Sequence, residues 1–235
     1  LNVLKERILG RKITNTLSLN EFLYLGLKIE EDAVEEIYEE GLPCNISFTS
    51  GTTGINKGVL LSHDANNALA FQHKIGNFGF QKGETNLALV PPFLAFWDAD
   101  IVHTVMSLGG EELLELTLDY DKIPKYFEKY DVNIGVWSQY LWSSLLTLPE
   151  QKLKEISKKL KHVIVGGERC EIKAAEEFYK KTGIYQWTGF GATEVNTAFT
   201  MTHPNCFKVG TAGIPLPFNN VKIVDENFKD VTYNV

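Results

Sequence analysis

The chain of 235 residues lacks several features that would settle its class at once. It has no apolar run near the ~18 residues of a membrane span, and Leu1 to Arg11 do not have the layout of a signal peptide. With 30 acids against 23 bases and a formal net charge of −7, it has no basic surplus for neutralising nucleic-acid phosphates, although backbone amides can still build a local anion site. Its three cysteines, Cys44, Cys170 and Cys206, are odd in number, far apart and outside any CxxC arrangement. That pattern suggests neither a disulfide framework nor a zinc site, and fits a reducing cytoplasm. Core-forming residues are not lacking: 44% hydrophobic and 23% charged describe an ordinary globular chain, long enough for one or two domains. The chain opens on Leu1 and stops at Val235 after a strand-like stretch, so it is expected to be an excerpt of something longer.

Glu30 to Glu40 carry seven acids, with Ala33, Val34, Ile37 and Tyr38 at helical spacing, which predicts an amphipathic helix with a solvated acidic face. Gly41 and Pro43 end it, and residues 1–44 read as a helical lead-in to the domain core that follows, 45–235. Asn45 to Thr49 read as a strand entering a loop. Short apolar runs then recur at Leu87 to Val90, Glu112 to Leu116, Ile134 to Trp137, His162 to Val165 and Ile184 to Trp187. Between them lie helical periods: Leu153, Ile156 and Leu160, then Ile172, Ala175 and Phe178 closed by Lys180, Lys181 and Gly183. This alternation predicts an α/β layered fold, a mostly parallel sheet with helices on both faces and ligands at loops beyond the strand ends. After Gly189 the glycines, prolines and the strand-like Val221 to Val224 predict a loop-rich β region at the C-terminal end.

The most informative stretch is Phe48 Thr49 Ser50 Gly51 Thr52 Thr53 Gly54 Ile55 Asn56 Lys57 Gly58 Val59. Small residues let backbone approach a polyphosphate, hydroxyls donate to its oxygens, and Lys57 adds a mobile positive charge. Lys57 is the only Lys or Arg between Ile29 and His73. The stretch does not fit the GxxxxGK[ST] loop, because Gly58 follows the lysine where Ser or Thr is required. Strand-like residues on both sides argue against a free linker.

This segment resembles the signature loop of the adenylate-forming superfamily, roughly TSGTTGxPKGV, with Asn56 in place of Pro. That superfamily comprises acyl-CoA synthetases, the adenylation domains of nonribosomal peptide synthesis and luciferases. Further matches follow in the family's order. Ser62 and His63 resemble its SHxN helix start, though Ser62 also suits a plain N-cap. Gly166 Gly167 Glu168 resemble its GGE turn, where adenine lies against backbone, and Gly189 Phe190 Gly191 Ala192 Thr193 Glu194 resemble its YGxTE motif, with Phe190 for Tyr. The resemblance implies that Thr49, Ser50, Gly51, Thr52, Thr53, Gly54 and Lys57 hold phosphates. It implies that Gly167, Glu168, Gly189, Phe190 and Gly191 border the adenine, Thr193 meets the α-phosphate and Glu194 binds Mg²⁺. Val209 to Pro217, running into Lys222 to Asp225, resemble a further family segment read mainly as scaffold.

The implied reaction is attack of a carboxylate on the α-phosphorus of ATP, giving an acyl adenylate and pyrophosphate, then transfer to a thiol. A carboxylic acid with a pKa near ~4 is already ionised at neutral pH, so no general base is needed and catalysis rests on positioning and on charge at the phosphates. Lys57, Thr193 and Glu194 are the expected catalytic set. His73, His103, His162 and His203 are read as surface or satisfied core residues. Pro91 to Trp97 align with the family's PLFH segment, with Leu94 for His, and Phe96, Trp97 and Gly191 are expected to wall the acyl pocket. Amino-acid-activating relatives place an amine-pairing Asp where this chain has Phe96, which favours an apolar acid; Asp98 stands two residues away. Acetyl-specific relatives place a Trp where this chain has Gly191, which favours an acid larger than acetate.

The resemblance spans about Asn45 to Asp225, the middle of the family's large N-terminal domain, without its beginning or its small C-terminal domain. The expected function is therefore that of an acyl-CoA synthetase using ATP, Mg²⁺ and CoA, in an excerpt expected to be inactive alone. The alternatives are an adenylation domain that activates amino acids for a carrier-protein thiol, and a non-catalytic nucleotide-binding remnant.

Overall fold

The computed structural model describes residues 17–29, 37–49, 56–115 and 119–231. The chain divides into two compact units, residues 1–39 and 40–235. In the first, helix α1 (Leu19–Gly26) starts at a capping box: the Ser18 hydroxyl accepts from the Glu21 amide, and the Glu21 carboxylate accepts from the Ser18 amide. Most of the expected acidic helix, residues 30–36, lies outside the described residues, and Ile37 to Glu39 have no regular structure.

The second unit opens with an antiparallel pair, β1 (Pro43–Phe48) and β2 (Gly58–Ser62). Helix α2 (His63–Gly76) follows directly, because the Ser62 hydroxyl accepts from the Ala65 amide and so serves as the N-cap. The main sheet has β3 (Thr85–Ala88), β4 (Glu111–Leu114), β5 (Val132–Trp137), β6 (His162–Val165), β7 (Gln186–Ala192), β8 (Thr197–Met201) and β9 (Ile214–Pro215). Their order across it is β4-β3-β5-β6-β7-β8-β9. The pairs from β4 to β7 are parallel and the last two antiparallel.

Every residue of β5 and β6 is buried, as expected of parallel strands covered on both faces. Successive side chains of β6 point to opposite faces: Val163 and Val165 join one core, Ile164 the other. The first core is closed by α4 (Ile123–Lys129), α5 (Gln139–Ser144), α6 (Glu150–Ser157) and α7 (Ile172–Thr182). At its centre Trp137 and Trp142 stack with ring centroids 4.0 Å apart, their indole nitrogens donating to the Leu87 and Ile164 carbonyls. Gly135 is required there, since a Cβ would stand 2.7 Å from the Trp142 ring. The second core lies under α2 and a π-helical segment, Trp97–His103, that runs into α3 (Thr104–Ser107).

Helix α7 ends as its sequence predicts, with Lys180 and Lys181 in the last turn and Gly183 left-handed at the cap. Three expectations shift. The strand expected at Leu87 to Val90 runs from Thr85 to Ala88. The one expected at Ile184 to Trp187 extends to Ala192, because its glycine-rich end finds an antiparallel partner in β8. Val221 to Val224 form no strand; only Val224 makes an isolated bridge, to Asp230. Among the described residues no helix is long and apolar enough to cross a membrane.

Candidate active site

Along the second core's face of the sheet runs a cavity of about 960 Å³. Its wall on the sheet is Ile134, Val136 and Ile164, which alternate onto that face, and the two-glycine turn after β6 follows at the strand ends. The opposite wall comes from α2, the π-helical segment and α3, through His73, Asp100, Thr104 and Val105.

Two segments far apart in sequence meet along it. Thr49 and Lys57 bracket the signature loop at the end of the β1–β2 pair. The Thr49 amide donates to the Lys57 carbonyl at 3.0 Å, and the Lys57 amide donates to the Thr49 hydroxyl at 3.2 Å. The loop is thus tied shut at its base, with both residues and Asn56 lining the cavity. Ser50, Gly51, Thr52, Thr53 and Gly54 lie outside the described residues. From the other side come Gly189, Gly191, Thr193 and Glu194, at the end of β7 and the turn beyond it. Among the described lining residues Lys57 is the only Lys or Arg, and Asp100 and Glu194 are the only acids. The charges therefore sit singly in a mostly apolar wall.

Gly191 has no room for a side chain: a Cβ would meet the Thr197 carbonyl oxygen at 1.7 Å, so β8 crosses this point at backbone contact. Gly167 also lines the cavity and is left-handed, at φ +77°. The Phe96 ring lies 3.7 Å from where its Cβ would be, so Phe96 forms the corner between the turn and the rest of the cavity.

Three other expected site residues lie apart from this lining. Glu168 is exposed and accepts from the Tyr140 amide at 3.4 Å. Phe190 is exposed and its ring meets Phe199 edge-on. Trp97 packs against the second core. Asp98, the neighbour of the position where relatives place an amine-pairing Asp, is also outside the lining. Its carboxylate accepts from the Asn45 side-chain amide at 2.8 Å and from that of Asn66 at 3.4 Å. Asn66 in turn accepts from the Asn196 amide, two residues beyond Glu194. One buried asparagine therefore ties β1, the π-helical segment and the Glu194 turn to α2. Burial pushes the Cys44 thiol up, and the Asp98 charge adds to that, so this cysteine stays a protonated thiol.

The sequence reading missed the wall from α2 and the π-helical segment. His103 meets Asn67, His203 meets the Gly76 carbonyl, and His162 meets the buried Glu84 at 3.3 Å; these three serve packing. His73 differs, being buried and lining the cavity beside Asp100. Asp98 was singled out in the sequence, but it is Asp100 that the π-helical segment brings to the cavity.

The described residues contain no cluster of three or more His, Cys, Asp or Glu able to hold a metal. A lone exposed carboxylate such as Glu194 is nonetheless the donor Mg²⁺ takes when nucleotide phosphates complete its shell.

The layered α/β sheet thus places the base of the loop at Thr49 and Lys57 and the Thr193–Glu194 turn along one cavity. The sequence profile described as AMP-binding enzyme matches residues 10–235, and the chain belongs to that family. A long-chain-fatty-acid–CoA ligase of Bacillus subtilis is 27% identical over 188 residues, which are 77% of this chain and 32% of the ligase. The crystal structure of apo MatB from Rhodopseudomonas palustris superposes with a TM-score of 0.81 at 20% identity, covering 92% of this chain and 42% of that one. McyG A-PCP, solved with phenylalanyl-adenylate, superposes at 0.73 with 20% identity, covering 90% of this chain and 36% of that one. The chain thus spans about a third of the length of the curated relative it matches.

Proposed function

We propose that this chain is the nucleotide-binding core of an AMP-forming carboxylate ligase that makes an acyl adenylate and passes the acyl group to CoA in the cytoplasm. The observation that carries the reading is the single cavity lined by Thr49 and Lys57 on one side and by Thr193 and Glu194 on the other. Lys57 faces a triphosphate with a mobile charge, and Thr193 offers a hydroxyl beside the α-phosphate. Glu194 would hold Mg²⁺, which neutralises phosphate charge when bound. Gly189, Gly191 and Gly167 leave backbone open to the adenine, with Phe190 and Glu168 at its edge. Ser50 to Gly54 supply further donors to the phosphates.

The attacking carboxylate enters ionised, so these residues need only place it in line with the leaving pyrophosphate and stabilise the charge that develops. Phe96 lines the acyl portion and Trp97 backs it, whereas Gly191, expected to wall that portion, is a glycine because β8 backbone occupies the space of its side chain. Since Phe96 faces the cavity while Asp98 is held by two asparagines, an acid without an α-amine is favoured. The alternative, an amino-acid-activating domain loading a carrier protein, is favoured by the likeness to McyG A-PCP.

The test is exchange of labelled pyrophosphate into ATP by the intact protein, with apolar aliphatic or aryl acids, α-amino acids, or no acid. Exchange driven by apolar acids is expected. Exchange with amino acids alone would establish the alternative, and none with any acid would make the chain a non-catalytic remnant.

A further inference from the structure

The cavity contains one feature that adenylate chemistry leaves unused. His73 is 6% exposed, yet neither of its ring nitrogens has a hydrogen-bond partner. Its Nε2 stands 3.6 Å from Asp100 Oδ1, too far for a hydrogen bond. The other Asp100 oxygen accepts from the Thr197 hydroxyl. Thr197 is fixed in turn by its place on β8, against the end of β7. Of the cavity lining, the Phe80 ring stands against His73, with ring centroids 5.8 Å apart. A buried imidazole without a partner is costly, and the groups that could satisfy it must come from whatever fills the cavity.

We propose that His73 and Asp100 form a specificity site for a hydroxyl group on the acid substrate, so that the acid this protein activates is an apolar hydroxy acid. This rests on the function proposed above. The pattern of donors selects the class. A hydroxyl donates one hydrogen bond and accepts another, so it satisfies Asp100 and a His73 N–H together. An ammonium offers no acceptor to His73, and a second carboxylate offers no donor to Asp100 and is repelled by its charge. A plain hydrocarbon leaves the buried His73 nitrogens unpaired and Asp100 with its Thr197 contact alone, and sites built for a hydroxyl reject such analogues strongly.

The experiment compares matched acids of equal length in the intact protein: plain, hydroxyl-bearing, amino-bearing and dicarboxylic, in aliphatic and aryl series, read as kcat/KM for pyrophosphate release. The best hydroxy acid is expected to exceed its plain counterpart at least about tenfold. In His73→Leu that ratio falls toward one; if this variant does not fold, His73→Phe, which keeps a ring against Phe78 and Phe80 but offers no hydrogen bond, provides the same reading. A wild-type protein that uses the plain acid as well as any hydroxy acid overturns the inference and leaves the proposed ligase intact. So does a hydroxyl preference that survives these substitutions. A preference for the amino-bearing or dicarboxylic acid also overturns it. No pyrophosphate release with any acid overturns both.

Discussion

Strands β5 and β6 and the pair β1–β2 border the same cavity and are built on opposite terms. Residues of β5 range from fully buried to 8% exposed, and the Trp137–Trp142 stack, Gly135 and the indole hydrogen bonds leave no slack beneath them. In the β1–β2 pair Ile46, Phe48 and Leu60 are 59%, 64% and 64% exposed, and no strand of the main sheet pairs with it. Yet Thr49 and Lys57 stand at its end, whereas the buried strands supply the cavity only with apolar wall. Stability is concentrated in the floor of the site and charge at its rim, so substitutions in the two places should separate folding from chemistry.

The largest expected effect is in the floor. Trp142→Ala removes a fully buried indole and its hydrogen bond to Ile164, and should cost about 3–5 kcal/mol of unfolding free energy in denaturant titrations. Lys57→Ala should act the other way, lowering adenylation roughly 10- to 100-fold, or about 1.5–3 kcal/mol in the barrier. Its unfolding free energy should stay within about 0.5 kcal/mol of wild type. An unchanged rate would remove Lys57 from the site. Gly191→Ala tests the junction of the two regions. Its Cβ collides with the Thr197 carbonyl, so it should cost about 1–3 kcal/mol of stability and slow adenylation as well.

The smallest effect is a pH dependence at Glu112, which is not among the residues lining the cavity. Burial pushes the Glu112 carboxyl up to about 8, against two hydrogen bonds from the Asn86 amide that pull it down. A carboxyl whose folded pKa lies above its unfolded value contributes stability that is fully present below about 4.5 and lost as pH rises toward about 8. Glu112→Gln should therefore flatten the stability profile across that window and exceed wild type by about 1 kcal/mol at the alkaline end. Identical profiles would place Glu112 in water.

The difference between floor and rim also explains what the sequence disclosed. Long-period features were legible: β5 and β6 as apolar runs, α7 from Ile172, Ala175, Phe178 and its Gly183 cap, and Ser62 as a cap. Lys57 and Glu194 were found by motif, although 136 residues separate them and nothing in the spacing says that they meet. What failed depended on partners. β7 runs on through Gly189 and Gly191 only because β8 returns beside it, and Val221 to Val224, apolar enough for a strand, find no partner strand. His73 and Asp100 carry no local signal, since it takes α2 and the π-helical turn together to aim them at one cavity.

Whether Lys57 and Glu194 grip one nucleotide is tested most directly by a double-mutant cycle on ATP affinity, measured by calorimetry across a Mg²⁺ titration. Wild type, Lys57→Ala, Glu194→Gln and the double variant are compared in the intact protein. If both groups act on one triphosphate, Glu194→Gln shifts the Mg²⁺ requirement upward and the two losses couple by more than about 0.5 kcal/mol. A metal titration that stays where it was, with losses that add within about 0.3 kcal/mol, would mean that the two residues do not share a ligand.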